Sequence, residues 1–448
     1  MNNKALYVDR PLPVSDNRAI RIVLCTFSSL GVIWGAWQVL LADIQQALQL
    51  SKGELGSAIT IGVAAAIPSM LLGGRLSDRW GPRTIITATS LLMGLALIGL
   101  AVANHYWVLC AVLALQYASS GAYDVAINAA AIGAEQTAQR RIMTYFHATF
   151  SGAAAFAGIF AGLLLFLGTP FRTIYCIVAV LTVVLALLVW LDPTFGRPMY
   201  GHPKVGEHGI QKTRLFLVPA IVLIAAITSL GSLSEGTLQS WSAVYLRISL
   251  DLPVILGAAG PAVLHAAMLI GRLASAYVVA RLGLRTLLCI SGLLTAAGMG
   301  LALATTTPSL ILLGILTCGL ALSGVAPAAY SLAGDIAPKR AGEVTSIITT
   351  ISYSGFLIGP ALIGSLAEAL GLRIAMGTVI LAGLMIALLS LFLRRFPQRE
   401  INQHLWLSVK LMDTRACLQS SSDAAFRKSQ IEEWRGSMVS LQTRSSGL

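Results

Sequence analysis

The chain has 448 residues, of which 56% are hydrophobic and 11% charged, and its mean hydropathy is +0.78. Soluble domains carry about 25% charge, so the composition excludes both a water-soluble globule and a disordered chain and leaves a bilayer as the solvent. A net charge of +12 would suggest nucleic acid in a soluble protein; in a membrane protein its placement decides its meaning, and no nucleic-acid partner is expected. Cys25, Cys110, Cys176, Cys289 and Cys318 lie in apolar runs and Cys417 outside them, with no CxxC pair. Neither a disulfide framework nor a metal site follows, and no cofactor is expected. The start is polar through Arg21, without a cleavable signal pattern.

In chain order the sequence predicts a cytoplasmic N-terminus at 1–20 and a first bundle at 21–191. Its six spans fall near 21–42, 54–76, 84–103, 107–133, 143–168 and 172–191. A cytoplasmic linker follows at 192–214, rich in Gly, Pro and His. The second bundle, 215–394, holds spans near 215–246, 254–279, 286–304, 309–335, 344–367 and 374–394. A basic cytoplasmic tail at 395–448 closes the chain, and Ile401, Leu405, Val409 and Met412 give 400–413 the spacing of an amphipathic helix. The spans must be helices, because lipid offers no partner to open backbone groups and the runs lack the alternation of barrel strands. If the N-terminus is cytoplasmic, all but Lys52, Arg172, Arg247 and Arg373 of the 31 Lys and Arg fall on the inner side. That asymmetry predicts a multi-pass protein of the cytoplasmic membrane with both termini inside.

The halves echo one another. Arg79-Trp80-Gly81-Pro82-Arg83 follows the second span, and Arg281-Leu282-Gly283-Leu284-Arg285 follows the eighth, 202 residues later. Ser120-Gly121 returns as Ser323-Gly324 after 203 residues. An all-α protein of two pseudo-symmetric six-helix halves is the expected fold, an arrangement that secondary transporters use for rocking.

Gly74-Arg75-Leu76-Ser77-Asp78-Arg79-Trp80-Gly81-Pro82-Arg83 resembles the signature between helices 2 and 3 of the major facilitator superfamily. Gly74 suits close helix packing, Gly81 and Pro82 turn the chain, and Asp78 can meet Arg79, Arg83 or a helix N-terminus. The resemblance implies that this loop gates the cytoplasmic side; in the second copy Ala280 stands in place of Asp78. Tyr123-Asp124-Val125-Ala126-Ile127-Asn128, Phe146-His147-Ala148, Glu235-Gly236 and Trp241 to Arg247 look like the YbjJ/MosC-like branch of that superfamily. Two features usual in its drug antiporters are missing: an Arg in the fourth span and a Gly-Pro signature in the fifth.

Ionisable residues at depth usually face a bundle interior or a water-filled cavity. Ser120, Asp124 and Asn128 share one face of the fourth span; Ser232, Glu235, Gln239 and Ser242 form a stripe on the seventh. The resemblance implies that the first, fourth, seventh and tenth spans line a central cavity. Asp124 and Glu235 then face each other, with Trp34, Gln38, Asn128, Gln239, Tyr330 and Tyr353 as further cavity candidates. Either acid, or more weakly His147, is a candidate proton carrier; the alternative is a polar residue that pins two helices together. The leading function is a secondary transporter of a small organic solute coupled to protons, working as a monomer. An exporter or drug antiporter of the same fold, or a sensor that signals without flux, are the alternatives. No Walker-type sequence or HExxH supports a pump or a zinc enzyme, and Tyr123-Asp124 with Gly334-Asp335 matches membrane aspartyl proteases only poorly, so no enzyme is expected.

Overall fold

The computed structural model describes residues 15–138, 142–192, 219–336 and 341–393. Most of the expected N-terminus at 1–20, most of the linker and the amphipathic tail lie outside them, and residues 15–20 belong to the first helix. Twelve helical segments are long and apolar enough to cross a membrane, and no strand occurs among the described residues. The first half contains α1 (Ser15–Ala47), α2 (Lys52–Trp80), α3 (Pro82–Val102), α4 (Tyr106–Ala138), α5 (Met143–Phe166) and α6 (Phe171–Leu191). The second contains α7 (Pro219–Val244), continued by a π-helical turn at Tyr245–Ser249, then α8 (Val254–Leu282) and α9 (Leu284–Ala304). Its tenth span is α10 (Pro308–Leu322) plus α11 (Val325–Ile336), its eleventh α12 (Ala341–Leu370), and its twelfth α13 (Leu372–Met376) plus α14 (Thr378–Phe392).

The tenth span corrects the expectation of one helix over 309–335. It breaks at Ser323-Gly324, where the matching Ser120-Gly121 runs unbroken through α4. Pro327 supplies the reason: a proline has no N–H for the carbonyl four residues back, here that of Ser323, and its ring crowds that carbonyl.

The turns carry the duplication in their backbone. Residues with positive φ fall in three pairs: Gln49 and Asp251 (50° and 52°), Gly81 and Gly283 (81° and 75°), Gly168 and Gly371 (84° and 87°). Each pair is separated by the 202 or 203 residues already seen in the motifs. At Gly81 the left-handed turn ends α2 and Pro82 then opens α3, its fixed φ suiting the first helical position. α2 itself starts on a capping box: Ser51 accepts from the Glu54 N–H, and the Glu54 carboxylate accepts from the Ser51 N–H at 2.9 Å.

Equivalent helices pack in equivalent pairs, α1 on α5 and α7 on α12, α3 on α6 and α9 on α14. Small residues let the backbones approach, as lipid-embedded helices require. A Cβ on Gly35 would overlap the Ala154 carbonyl of α5, and one on Gly355 of α12 would overlap the Ser229 carbonyl of α7. Leu, Ile and Phe side chains such as Leu71, Phe156, Leu181, Leu188 and Leu381 are exposed on the outside of the bundle, the face that lipid covers.

α1 and α6 meet at the end of the bundle where the linker joins, through the Arg18–Asp192 ion pair at 2.6 Å. This is the linker end; turns such as 48–51, 103–105, 250–253 and 305–307 mark the far end. The halves touch through α2 on α12, α5 on α8 and α1 on α7.

Candidate functional site

A cavity of about 250 Å3 opens between the halves, lined from α1, α2, α4, α5, α7, α8 and α12. α4 contributes Asp124 and α7 contributes Glu235. Each acid is held in the same way. Asn128 donates its amide to Asp124 Oδ1 at 3.1 Å, and Gln239 donates to Glu235 Oε1 at 2.9 Å. A spacing of four residues brings each amide one turn along the same helix face. Both acids also belong to the cavity wall.

Trp34, Gln38, Gln239, Tyr353 and His147 all line the cavity. Trp34 donates its indole N–H to Ser120 Oγ at 3.2 Å and meets Tyr117 edge-on with centroids 4.8 Å apart. Gln38 Oε1 and His265 Nε2 lie 2.9 Å apart, a bond from α1 to α8 that crosses between the halves. The His147 ring stands edge-on to Phe27, centroids 5.3 Å apart.

The other expected positions stand differently. Asn128 does not line the cavity; both its amide contacts go back to Asp124, to the carboxylate and to the carbonyl at 2.8 Å. Tyr330 lies on α11, and its side chain is outside the described set. The stripe on α7 divides: Glu235 and Gln239 face the cavity, but Ser232 bonds Ser352 Oγ of α12 at 2.7 Å. Gly236 packs its bare Cα against the Phe356 ring within a continuous α7.

In the α2–α3 loop, Gly73 rather than Gly74 makes the close approach, since a Cβ there would sit 2.8 Å from Ala122 Cα. Arg83 donates to the Trp190 carbonyl and lies 5.1 Å from that indole ring, so it joins α3 to α6. Arg79 lies 6.0 Å from the Trp80 ring, and Asp78 is exposed at the end of α2.

One residue of the site escapes a reading by spans. Arg272, counted by sequence among inner-side charges, lines the cavity from α8 and donates to the His147 carbonyl at 3.2 Å and to Ser151 Oγ of α5. His265 is fully buried. The two are seven residues apart and share a helix face, a signal visible in the sequence once α8 is taken as a cavity helix. Together the cavity offers two carboxylates, one guanidinium, amides and several aromatic rings. Among the described residues no group of His, Cys, Asp or Glu has the arrangement of a metal site.

Comparison with known proteins places this architecture. The profile of the Major Facilitator Superfamily matches residues 22–283 and 262–420. The membrane protein MosC of Rhizobium meliloti is 29% identical over 379 residues, covering 84% of this chain and 90% of that protein. An uncharacterised MFS-type transporter of Yersinia pestis is 30% identical over 366 residues, 81% of this chain and 92% of its own length. Among solved structures, the nucleoside transporter NupG aligns with a TM-score of 0.72 at 14% identity, over 85% of this chain and all of NupG. A bacterial homologue of the human lysosomal transporter Spinster, inward-facing and occupied, aligns with a TM-score of 0.66 at 15% identity over 85% of this chain and 97% of its own. Twelve spans, paired turns and a cavity between two halves, read with these matches, make the chain a multi-pass membrane transporter, not an enzyme, and a member of the Major Facilitator Superfamily.

Proposed function

We propose that this protein is a proton-coupled secondary transporter that moves a small organic solute across the cytoplasmic membrane by alternating access. The observation that carries the reading is the pair of acid–amide clamps, Asp124 with Asn128 and Glu235 with Gln239, on facing helices of opposite halves around one cavity. Acids at membrane depth are expensive to keep unless they work, and a cavity wall lets a proton reach them. The cavity's 250 Å3 lies just below the usual small-molecule pocket of about 300–1,000 Å3, which fits a compact substrate. In this reading 21–191 and 215–394 are the two rocking bundles, 192–214 is the cytoplasmic linker, and one chain suffices. Lys52, Arg172, Arg247 and Arg373 then lie near the outer face. The α2–α3 loop, with Asp78, Arg79, Gly81 and Arg83, gates the cytoplasmic side.

Coupling and exchange separate experimentally. Exchange needs only a cavity that alternates, whereas accumulation also needs a group whose protonation is tied to the alternation. Glu235→Gln and Asp124→Asn, each reconstituted in liposomes, are to be assayed for pH-gradient-driven uptake and for counterflow, with substrate found by a thermal-shift screen of metabolites. The expected result is loss of gradient-driven accumulation in at least one variant with part of the counterflow kept. Full gradient-driven uptake in both would make the acids structural and end the proton-coupled reading.

A further inference from the structure

At the far end, Asp43 of α1 meets Arg247 of the π-helical turn that continues α7. Arg247 Nη1 donates to Asp43 Oδ2, and Nη2 donates to Oδ1 at 3.0 Å, a two-bond fork between side chains only 9% and 14% exposed. Planar, parallel bonding of this kind is geometrically demanding and is stronger than a single-point contact. The two residues stand 204 apart in sequence, on opposite halves. Asp43 precedes the Gln49 turn by six residues and Arg247 precedes the paired Asp251 turn by four, so they occupy nearly matching places in the two copies. The first helix of each copy therefore brings one member of a complementary pair to the seam.

The surroundings are built to hold this contact. Gly257 of α8 lies against the Arg247 stem, where any Cβ would overlap Arg247 Cγ. The π turn adds a residue to the α7 helix at the point where Arg247 must reach across; such bulges recur at functional positions. Two further seams close alongside. A Cβ on Gly56 of α2 would overlap the Pro360 carbonyl of α12, and the Gly53 N–H donates to Glu368 Oε2 at 3.3 Å. A Cβ on Gly162 of α5 would overlap Ala258 Cβ of α8. The Gly56 and Gly162 contacts are backbone or apolar and the Gly53–Glu368 bond involves one charge; the Asp43–Arg247 ion pair is the one contact among these that combines two charges.

We infer that Asp43 and Arg247 form the far-end latch of the transport cycle, an ion pair whose rupture accompanies opening of the cavity at that end. The inference rests on the alternating-access reading. While the halves are together, each charge is shielded by the other; when they part, water reaches both. Removing one partner leaves the other charge half-sealed in the closed seam and so raises the energy of the closed state. The open state, where both side chains are hydrated, is affected far less. The balance must shift toward far-end opening.

The test is made on the full chain in liposomes, with all six cysteines replaced and spin labels at two pairs of exposed turn positions. His105→Cys with Thr306→Cys reports the far end, and Trp80→Cys with Leu282→Cys reports the linker end. Asp43→Asn and Arg247→Gln should each lengthen the far-end distance, raising the open population from a minority of roughly 0.1–10% to one comparable with the closed state. The charge swap Asp43→Arg with Arg247→Asp should restore the parental distribution. Parental distances in both single variants overturn the latch, as does a swap that opens the far end as much as the singles do. Loss of folded protein in all three variants also overturns it, because the pair is then a folding contact. Lengthening at the far end with shortening at the linker end supports latch and rocking together. Lengthening without change at the linker end supports the latch and overturns the alternating-access reading.

Discussion

Single side chains in this bundle matter mostly through the partner each would strand. Gln38 is 2% exposed and His265 fully buried, and their bond joins α1 to α8. Gln38→Leu removes that partner from a buried imidazole and should lower stability by about 1–3 kcal/mol, the usual penalty for an unsatisfied buried polar group. The double variant Gln38→Leu with His265→Leu should recover part of the loss, since two apolar side chains leave nothing to satisfy. Thermal unfolding in detergent checks both, and an additive double variant would show that the bond carries no coupling. At this scale the sequence was partly legible. Asp124, Glu235 and their i+4 amides stood out because charge and amide are rare in apolar runs, and the structure joins them as clamps. Arg272 did not stand out, because it lies toward the end of its span and reads there as a positive inner-side residue. Only the packing of α8 against α5 turns it into the cavity.

Helices here are positioned by backbone approach more than by side-chain interdigitation. Gly31 and Gly35 of α1 meet α5 at Phe150 and Ala154, and in the second half Gly355 of α12 meets α7 at Ser229 and Leu233. The same helix pair closes in both halves, with the glycine on opposite partners. Gly35→Ala and Gly355→Ala should therefore each destabilise the bundle by about 1–3 kcal/mol, the cost of forcing a methyl into a packed seam. Gly300→Ala, where nothing lies within 4 Å of the added carbon, should be close to neutral. Melting temperatures of the three variants decide the matter, and equal values would mean the seams relax freely. Element existence was legible from hydropathy alone, because a run of about 20 apolar residues has few other uses. The break at Ser323-Gly324 was not, although Pro327 is in plain view. A proline inside an apolar span either kinks or breaks its helix, and Pro68 of α2, Pro261 of α8 and Pro360 of α12 stand inside helices that continue. Neighbouring helices decide which outcome holds, and that information is tertiary.

The whole molecule has two chemically different ends, and the difference predicts how it sits. The duplication makes the two halves alike in backbone, down to the paired positive-φ turns, so backbone shape does not choose an orientation. Charge does. Apart from Arg272 in the cavity, all but four of the 31 Lys and Arg belong to the linker end or the segments attached to it, and the exceptions are Lys52, Arg172, Arg247 and Arg373. Of these, Arg247 is consumed by its ion pair with Asp43, and Arg373 donates from Nε to the Leu303 carbonyl at 2.9 Å. Insertion retains Lys- and Arg-rich loops on the cytoplasmic side, so the linker end should face the cytoplasm. In right-side-out vesicles of a cysteine-free background, a cysteine at Thr306, exposed on the α9–α10 turn, should react with an impermeant maleimide added outside. A cysteine at Lys204 in the linker should react only after the membrane is permeabilised. Reaction at 204 from outside, with 306 protected, would invert the orientation.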